Sequence, residues 1–439
     1  MPSVDETSLS TPTGSACKLA QAEVEVVQRD RSNLSKAAIE SAVDQFLRVH
    51  EYFNILHKIN EFGAERTELS NHVESIRFCQ DNLNLKDVSV IHVPSCELIY
   101  RVFKLHRLGA EIEEICQDGE EEVPAAQHWM LPNQEFQGVW ENLVYDTNLK
   151  WDLLRFVSTS LLLSDKGVDH NIVCCNRVVL LHGPPGTGKT SICKALAQKL
   201  SIKLAGRYLS TQLVEINSHS LFSKWFSESG KLVQKMFDEI KRLIQDTQSL
   251  VCVLIDEVES LTAARKNAMS GSEPSDALRV VNALLTQLDS IKNAPNVLIL
   301  TTSNITGAID LAFVDRADIK QYVGPPSQGA IYQILHSCAQ ELIRTGLVCV
   351  ESGNIVNLRE LQLTGYEDRP ATVYSLMLWK IAGACNGMSG RTIRKMAYLA
   401  LALFSSVADQ GSVKISEFLQ SLEQAVEMQR KDREELTKD

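Results

Sequence analysis

The chain has 439 residues, a formal net charge of −11, and hydrophobic and charged fractions of 44% and 23%. Its length is enough for two or three domains with separate cores, and its composition is typical of soluble globular proteins. The acidic balance argues against a dedicated nucleic-acid binder, because neutralising phosphates requires a basic surface. The eleven cysteines lack paired spacing, and no signal peptide or membrane-length apolar span is evident. We expect a protein of the cytoplasm or nucleus.

The N-terminal quarter of the chain is predicted to hold a tail and one small domain. Residues 1–20 are rich in Ser, Thr, Pro and Gly and are predicted to be a disordered tail. Alternation at 22–27, helical spacing at 34–53 and strand-forming residues at 88–103 predict a small α+β domain over 21–110. We expect it to recognise a substrate or adaptor. The acidic stretch that follows is interpreted as part of a solvated linker, 111–139.

The rest of the chain is predicted to form an α/β domain and a helical lid. Within 140–326, apolar runs at 178–181, 251–255 and 297–301 alternate with helical segments, which predicts a parallel sheet between helices. Beyond Pro325 and Pro326 the pattern becomes helical. The segments 330–342, 373–384, 392–404 and 415–430 predict a helical lid over 327–439.

A glycine-rich loop follows the first apolar run and precedes a helix, which is the context of a phosphate-binding loop. Its glycines let backbone N–H groups approach a triphosphate, Lys189 is predicted to reach the outer phosphates, and the Thr190 hydroxyl to bind Mg²⁺. We therefore expect ATP and Mg²⁺ as ligands. The predicted nucleotide-binding residues here are Gly183, Pro184, Pro185, Gly186, Thr187, Gly188, Lys189, Thr190 and Ser191.

Polar residues end the other two apolar runs, and parallel strands bring such ends to one edge of a sheet. Asp256 is predicted to hold Mg²⁺ with Thr190, and Glu257 to polarise the attacking water. Asn304 is predicted to orient that water against the γ-phosphate. The alternatives are a strand that ends in solvated acids and a turn-forming asparagine. Together these residues predict ATP hydrolysis.

The motifs in this order resemble those of the AAA+ ATPases. The resemblance implies that Arg316 is an arginine finger, which acts on the site of a neighbouring subunit. Family members often carry two arginines at this place, whereas this chain has one. The alternative is a surface arginine that pairs with Asp315 or Asp318. The resemblance also implies that Arg391, at the start of a lid helix, contacts the nucleotide.

A further segment resembles the aromatic pore loop of hexameric unfoldases in this superfamily. Trp225 lies in a polar, Ser-rich run, and the resemblance implies that it grips a threaded polypeptide with help from Phe226. The alternative is that Trp225 is a buried core residue. The run 268–275 would be the second pore loop.

From about residue 127 onward the chain resembles the pachytene checkpoint AAA+ ATPase family, also called thyroid hormone receptor-interactor 13. The segments 128–132, 217–225 and 313–322 carry this resemblance. It implies a homo-hexamer that uses an adaptor to remodel HORMA-domain proteins of the mitotic checkpoint and of meiotic chromosome axes. The implied location is the nucleus and cytoplasm, at chromosomes and kinetochores, without membrane or direct nucleic-acid binding.

Two alternative functions are compatible with the same phosphate-binding loop. A nucleic-acid motor or clamp loader could use the same core, but the acidic charge and the aromatic loop favour a protein substrate. An ATP-binding scaffold without catalysis is the other alternative. The presence of Lys189, Asp256, Glu257, Asn304 and Arg316 together argues against it.

Overall fold

The computed structural model describes residues 20–49, 51–54, 58–62, 67–79, 90–115, 123–169, 171–217, 229–260, 275–304, 309, 311–350 and 354–436. The chain divides into two units, Met1–Leu105 and His106–Asp439. Among the described residues, no helix is both long and apolar enough to cross a membrane.

The first unit is a small α+β domain, as the sequence predicts. Its central strand β1 is antiparallel to β3 and parallel to β5, and the first helix, α1, begins at a Ser35 cap whose hydroxyl accepts from the Ala38 N–H. Ile39, Val43 and Leu47 of α1 are buried in the same core as the sheet. The elements are β1 (Ala20–Gln28), α1 (Lys36–Arg48), β2 (Tyr52–Asn54), α2 (Thr67–His72), β3 (Val73–Cys79), β4 (Val90–His92), a 3₁₀ turn (Val93–Ser95) and β5 (Cys96–Phe103).

The second unit is built on a seven-stranded sheet in the order β12-β8-β11-β10-β9-β7-β6. The five strands from β12 to β9 are parallel to one another, which confirms the predicted parallel sheet. The strands are β6 (Glu111–Ile115), β7 (Val123–Leu131), β8 (Val178–His182), β9 (Ser210–Asn217), β10 (Ser249–Asp256), β11 (Val297–Ser303) and β12 (Ile319–Tyr322).

The linker predicted over 111–139 is corrected by the structure, because β6 and β7 extend this sheet as antiparallel strands. Trp129 and Leu131 of β7 are 3% and 2% exposed and lie in the core of the unit. The charge of the acidic stretch misled the interpretation. An edge strand pairs through its backbone while alternate side chains face water, so acidic residues do not exclude it.

Helices cover both faces of the sheet, and alternate strand residues belong to two separate apolar clusters. In β10, Val253 and Ile255 pack into one cluster, and Cys252 and Leu254 into the other. Each fully buried aliphatic side chain stabilises the fold by about 1.5–3 kcal/mol. The helices are α3 (Val139–Asn142), α4 (Leu149–Asp165), α5 (Lys189–Lys203), α6 (Ser229–Gln245), α7 (Ser275–Ile291) and α8 (Leu311–Arg316), with a 3₁₀ turn at Gln134–Phe136.

The predicted helical lid is present and has an apolar cluster of its own. The four predicted helices extend slightly beyond their predicted bounds or match them, and two short helices and a two-stranded parallel pair accompany them. The elements are α9 (Gln328–Arg344), β13 (Val348–Cys349), α10 (Leu358–Leu363), α11 (Val373–Ala384), α12 (Gly390–Phe404), α13 (Val407–Gln410), β14 (Val413–Lys414) and α14 (Ile415–Leu436).

Candidate active site

The glycine-rich loop connects the end of β8 to the start of α5, as predicted. Gly183, Gly186 and Gly188 all have positive φ angles, of 142°, 77° and 90°, which residues with a side chain rarely adopt. A Cβ atom at Gly183 would also collide with the carbonyl oxygen of Val323. The turn is therefore available only to glycine at these places. The Thr187 hydroxyl donates to the Pro184 carbonyl at 3.0 Å. Pro185 and Ser191 are exposed.

Lys189 lies inside this loop and is only 4% exposed. Its ammonium group donates to the carbonyl oxygens of Gly183 and Pro184, at 2.9 and 2.8 Å. Burial lowers the pKa of Lys189, and the nearby carboxylates of Glu259, Asp256 and Glu257 oppose that effect. A buried cation held by two carbonyl oxygens is well suited to exchange them for the oxygens of a phosphate, which carry more charge.

The predicted partners Thr190 and Asp256 meet at the carboxyl end of β10. The Thr190 hydroxyl donates to an Asp256 carboxylate oxygen at 2.8 Å, and the Thr302 hydroxyl donates to the same oxygen. Thr302 was not predicted, although the sequence places it in the polar end of β11. A hydroxyl and a carboxylate in contact are hard oxygen donors of the kind that Mg²⁺ binds.

Glu257 and Asn304 are also brought together. The Asn304 side-chain amide donates to a Glu257 carboxylate oxygen at 3.1 Å. Glu257 has a φ angle of 58°, an uncommon conformation for a residue with a side chain. Its N–H lies 3.3 Å from the Thr302 hydroxyl oxygen, which accepts from it. The turn after β10 therefore sets Glu257 beside Asn304.

The lid contacts the glycine-rich loop at Arg391. The Arg391 N–H donates to the Gly186 carbonyl at 3.2 Å, and a Cβ atom at Gly186 would lie 2.7 Å from the Ser389 hydroxyl oxygen. Ser389 is the N-cap of α12 and accepts from the Thr392 N–H. The exposed Arg391 side chain thus belongs to the first turn of a helix that contacts the glycine-rich loop.

A segment before α4, which the sequence did not reveal, completes the site. The Tyr145 hydroxyl donates to the Gly188 carbonyl at 3.0 Å, and burial raises the pKa of this phenol well above its ordinary value. Asp146 accepts from the Ser327 N–H at 2.8 Å and from the Ser327 hydroxyl, at the N-cap of α9. These contacts depend on the tertiary structure and carry no motif.

Arg316 ends α8 and forms a two-point ion pair with Asp289, at 2.7 and 3.1 Å. This hydrogen bonding holds the pKa of Asp289 below its usual range. The sequence suggested Asp315 or Asp318 as a surface partner of Arg316. Asp318 is instead used at the start of β8, where it accepts from the Val178 N–H at 3.1 Å. The predicted pore-loop residues Trp225 and Phe226, and the run 268–274, lie outside the described residues.

The fold and site define the class of protein. A parallel sheet that carries a phosphate-binding loop, paired acids at the adjacent strand ends and a helical lid is the architecture of a P-loop ATPase. The ATPase family associated with various cellular activities (AAA) matches residues 179–325. The TRIP13-like AAA+ ATPase lid C-terminal domain matches 327–430, and the TRIP13 N-terminal domain matches 18–107. The chain is an ATPase with a nucleotide-binding AAA+ core.

Known relatives then identify the family. The pachytene checkpoint protein 2 homolog of Gallus gallus is 49% identical to this chain over 96% of each protein. The homolog of Homo sapiens is also 49% identical, over 94% of each protein. The solved structure of C. elegans PCH-2 is 36% identical, covers 94% of this chain and 100% of its own, and has a TM-score of 0.74. The chain belongs to the pachytene checkpoint protein 2 (TRIP13) family of AAA+ ATPases. The resemblance drawn from sequence is confirmed.

Proposed function

We propose that this ATPase is a homo-hexamer that, with an adaptor, opens or disassembles HORMA-domain proteins of the spindle checkpoint and of meiotic chromosome axes. Its expected location is the nucleus and cytoplasm, at chromosomes and kinetochores. Membership of the pachytene checkpoint family supports the client class. The observation that carries the ATP-hydrolysing part of the proposal is that Thr190, Asp256, Glu257 and Asn304 lie together at one end of the sheet, next to a glycine-rich loop that the lid contacts.

The residues present fit a magnesium nucleotide. Thr190 and Asp256 would hold Mg²⁺, because their oxygen atoms already converge, and the glycine-rich loop offers N–H groups to the phosphates. The bound ion would neutralise charge on the phosphate oxygens. Lys189 would leave the carbonyl oxygens of Gly183 and Pro184 and bind the outer phosphates.

Glu257 and Asn304 then act on the attacking water. The Glu257 carboxylate accepts a proton from the water, and the Asn304 amide fixes where that carboxylate and the water lie. In the structure described here the two side chains bind each other, so Glu257 is held in place before a water is used. Arg316 of a neighbouring subunit would stabilise the charge on the transferred phosphate.

The coupling of hydrolysis to remodelling is assigned to Trp225 and Phe226. An aromatic ring contacts an extended polypeptide with little dependence on its sequence, which suits a loop that must pull on a folded client. Because such a loop touches the client and not the nucleotide, the ATPase rate and the remodelling rate can be separated by mutation.

The experiment is Trp225→Ala in the full chain, compared with Tyr398→Ala, which removes an aromatic ring that is 71% exposed in the lid. We expect Trp225→Ala to keep its Tm and its basal ATPase rate within about a few-fold while conversion of a closed HORMA protein to its open form fails. Tyr398→Ala should behave like the parent. Normal client conversion by Trp225→Ala would contradict the threading proposal.

A lower Tm together with loss of ATPase activity and of client conversion would instead identify Trp225 as a core residue, since truncating a buried tryptophan costs about 3–5 kcal/mol.

A second experiment measures the ATPase rate of the parent chain with and without DNA. A strong stimulation of the ATPase by DNA, without conversion of the HORMA protein, would favour the nucleic-acid motor.

A further inference from the structure

A third carboxylate, Glu259, lies beside the paired residues Glu257 and Asn304 and has no part in the roles assigned so far. One of its oxygens, Oε1, accepts from the backbone N–H of Asn304 at 3.1 Å. The other, Oε2, is buried and has no hydrogen-bond partner within the described part of the chain. Among the described contacts, this carboxylate therefore forms its hydrogen bond with Asn304.

The contact lies where the regular pairing of two strands ends. Beyond β10 and β11 the pairing continues for one step, since the Val258 N–H donates to the Thr302 carbonyl at 2.9 Å. β11 ends at Ser303, so the next N–H, that of Asn304, requires an acceptor from outside the ladder. An N–H shielded from water costs free energy when it lacks an acceptor, and Glu259 supplies the oxygen for this partly buried one.

The same carboxylate is close to the phosphate-binding loop. Among the charges that raise the pKa of Lys189, that of Glu259 has a larger effect than those of Asp256 and Glu257. Among the described contacts Glu259 makes no hydrogen bond to the ammonium group, so this effect is electrostatic only.

We propose that Glu259 is a positioning residue for ATP hydrolysis: by binding the Asn304 N–H it fixes the Asn304 side chain against Glu257. Asn304 directly follows β11 in the chain, and Glu259 accepts a hydrogen bond from its backbone N–H. The backbone of Asn304 is therefore fixed by both. Without this hydrogen bond the Asn304 amide can rotate away from the Glu257 carboxylate. The inference rests on the roles proposed above for Asn304 and Glu257 in hydrolysis.

The test uses Glu259→Ala, Glu259→Gln and Asn304→Ala in the full chain, with Glu341→Ala as a control at an exposed glutamate of the lid. Glu259→Ala should lower kcat about tenfold, as the loss of one partly buried hydrogen bond to a carboxylate predicts, while the Kd for a fluorescent ATP analogue stays within about threefold. Glu259→Gln keeps an oxygen acceptor at this position and should recover most of kcat.

The decisive measurement is a double-mutant cycle. In the Asn304→Ala background the amide is absent, so Glu259→Ala should lower kcat by less than about twofold further. A full tenfold loss in that background would overturn the inference, because Glu259 would then act independently of Asn304. Equal losses of kcat and nucleotide affinity would also overturn it and would assign Glu259 to phosphate binding.

The outcomes separate this inference from the function on which it rests. If Asn304→Ala keeps the parental kcat, the role of Asn304 fails and the inference fails with it. If Asn304→Ala is impaired but Glu259→Ala is not, only the positioning role is wrong. Tm values within a few degrees of the Glu341→Ala control identify the variants that remain folded, and Glu259→Gln supplies the comparison if Glu259→Ala does not.

Discussion

The seating of the lid on the phosphate-binding loop can be tested by adding one methyl group. Gly186→Ala places a Cβ atom 2.7 Å from the Ser389 hydroxyl oxygen and 2.9 Å from the Ser389 Cβ, both closer than such contacts allow. The same change also strains the backbone, since φ at Gly186 is 77°. We expect this variant to be destabilised by the strain and, in addition, by the displacement of the start of α12.

Gly411→Ala separates the two contributions. Gly411 has a φ angle of 76°, nearly the same, but a Cβ there meets nothing within 4 Å. Both variants carry the backbone cost of about 1–2 kcal/mol, and Gly186→Ala adds an overpacking cost of about 1–3 kcal/mol. At about 2 °C per kcal/mol for a unit of this size, the contact alone should lower the Tm by about 2–6 °C.

Thermal unfolding of the two variants measures this difference, and Ser389→Gly tests its cause. Glycine at an N-cap costs only a few tenths of a kcal/mol relative to serine, and it removes the two Ser389 atoms that the new methyl group would approach within 3 Å. Gly186→Ala should therefore cost much less in a Ser389→Gly background. Equal Tm values for Gly186→Ala and Gly411→Ala would refute the seating of the lid described here.

Three further predictions concern the site and its ion pair. Glu257→Gln should bind ATP yet lose at least about 10²-fold in steady-state ATPase; a rate above a tenth of the parental one would count against a general base. Arg316→Ala should lose hydrolysis but regain part of it when mixed with Lys189→Ala subunits, and no recovery in assembled mixtures would argue against action in trans. Because the pKa of Asp289 is lowered, its ion pair stabilises the fold above the ordinary value of 3.8 and the effect is lost as the pH falls below it. Asp289→Asn should therefore be less stable than the parent at neutral pH and match it in strong acid, as measured by denaturant titration; a constant difference would be evidence against the pair.

The sequence predicted those parts of the site that follow from the order of strand, loop and helix. The glycine-rich loop, Asp256, Glu257 and Asn304 each occupy a strand end, and strand ends are visible in a hydrophobic pattern. The pairing of Arg316 with Asp289 was not predictable in this way, because the partners lie 27 residues apart on separate helices. Contacts of that kind are set by how helices pack.

The linker error has a related cause. Strand formation in β7 depends on backbone pairing with β9, and that of β6 on pairing with β7. A backbone N–H or carbonyl leaves no trace in the residue types. The acidic side chains can be read from the sequence, whereas the sheet edge that pairs with these strands cannot. The two short lid helices were missed for a different reason, since helices of six and four residues have too few turns for a periodic pattern.

The glycine-rich loop is joined to the lid through two separate sets of contacts. On one side the backbone N–H of Arg391 donates directly to the Gly186 carbonyl. On the other, Tyr145 binds the Gly188 carbonyl while the adjacent Asp146 holds the N-cap of α9. Because both sets end on carbonyl oxygens of the loop, the lid cannot shift relative to the sheet without stretching a hydrogen bond at one of these glycines. We therefore expect phosphates bound in the loop to shift these carbonyl oxygens and, through them, the position of the lid.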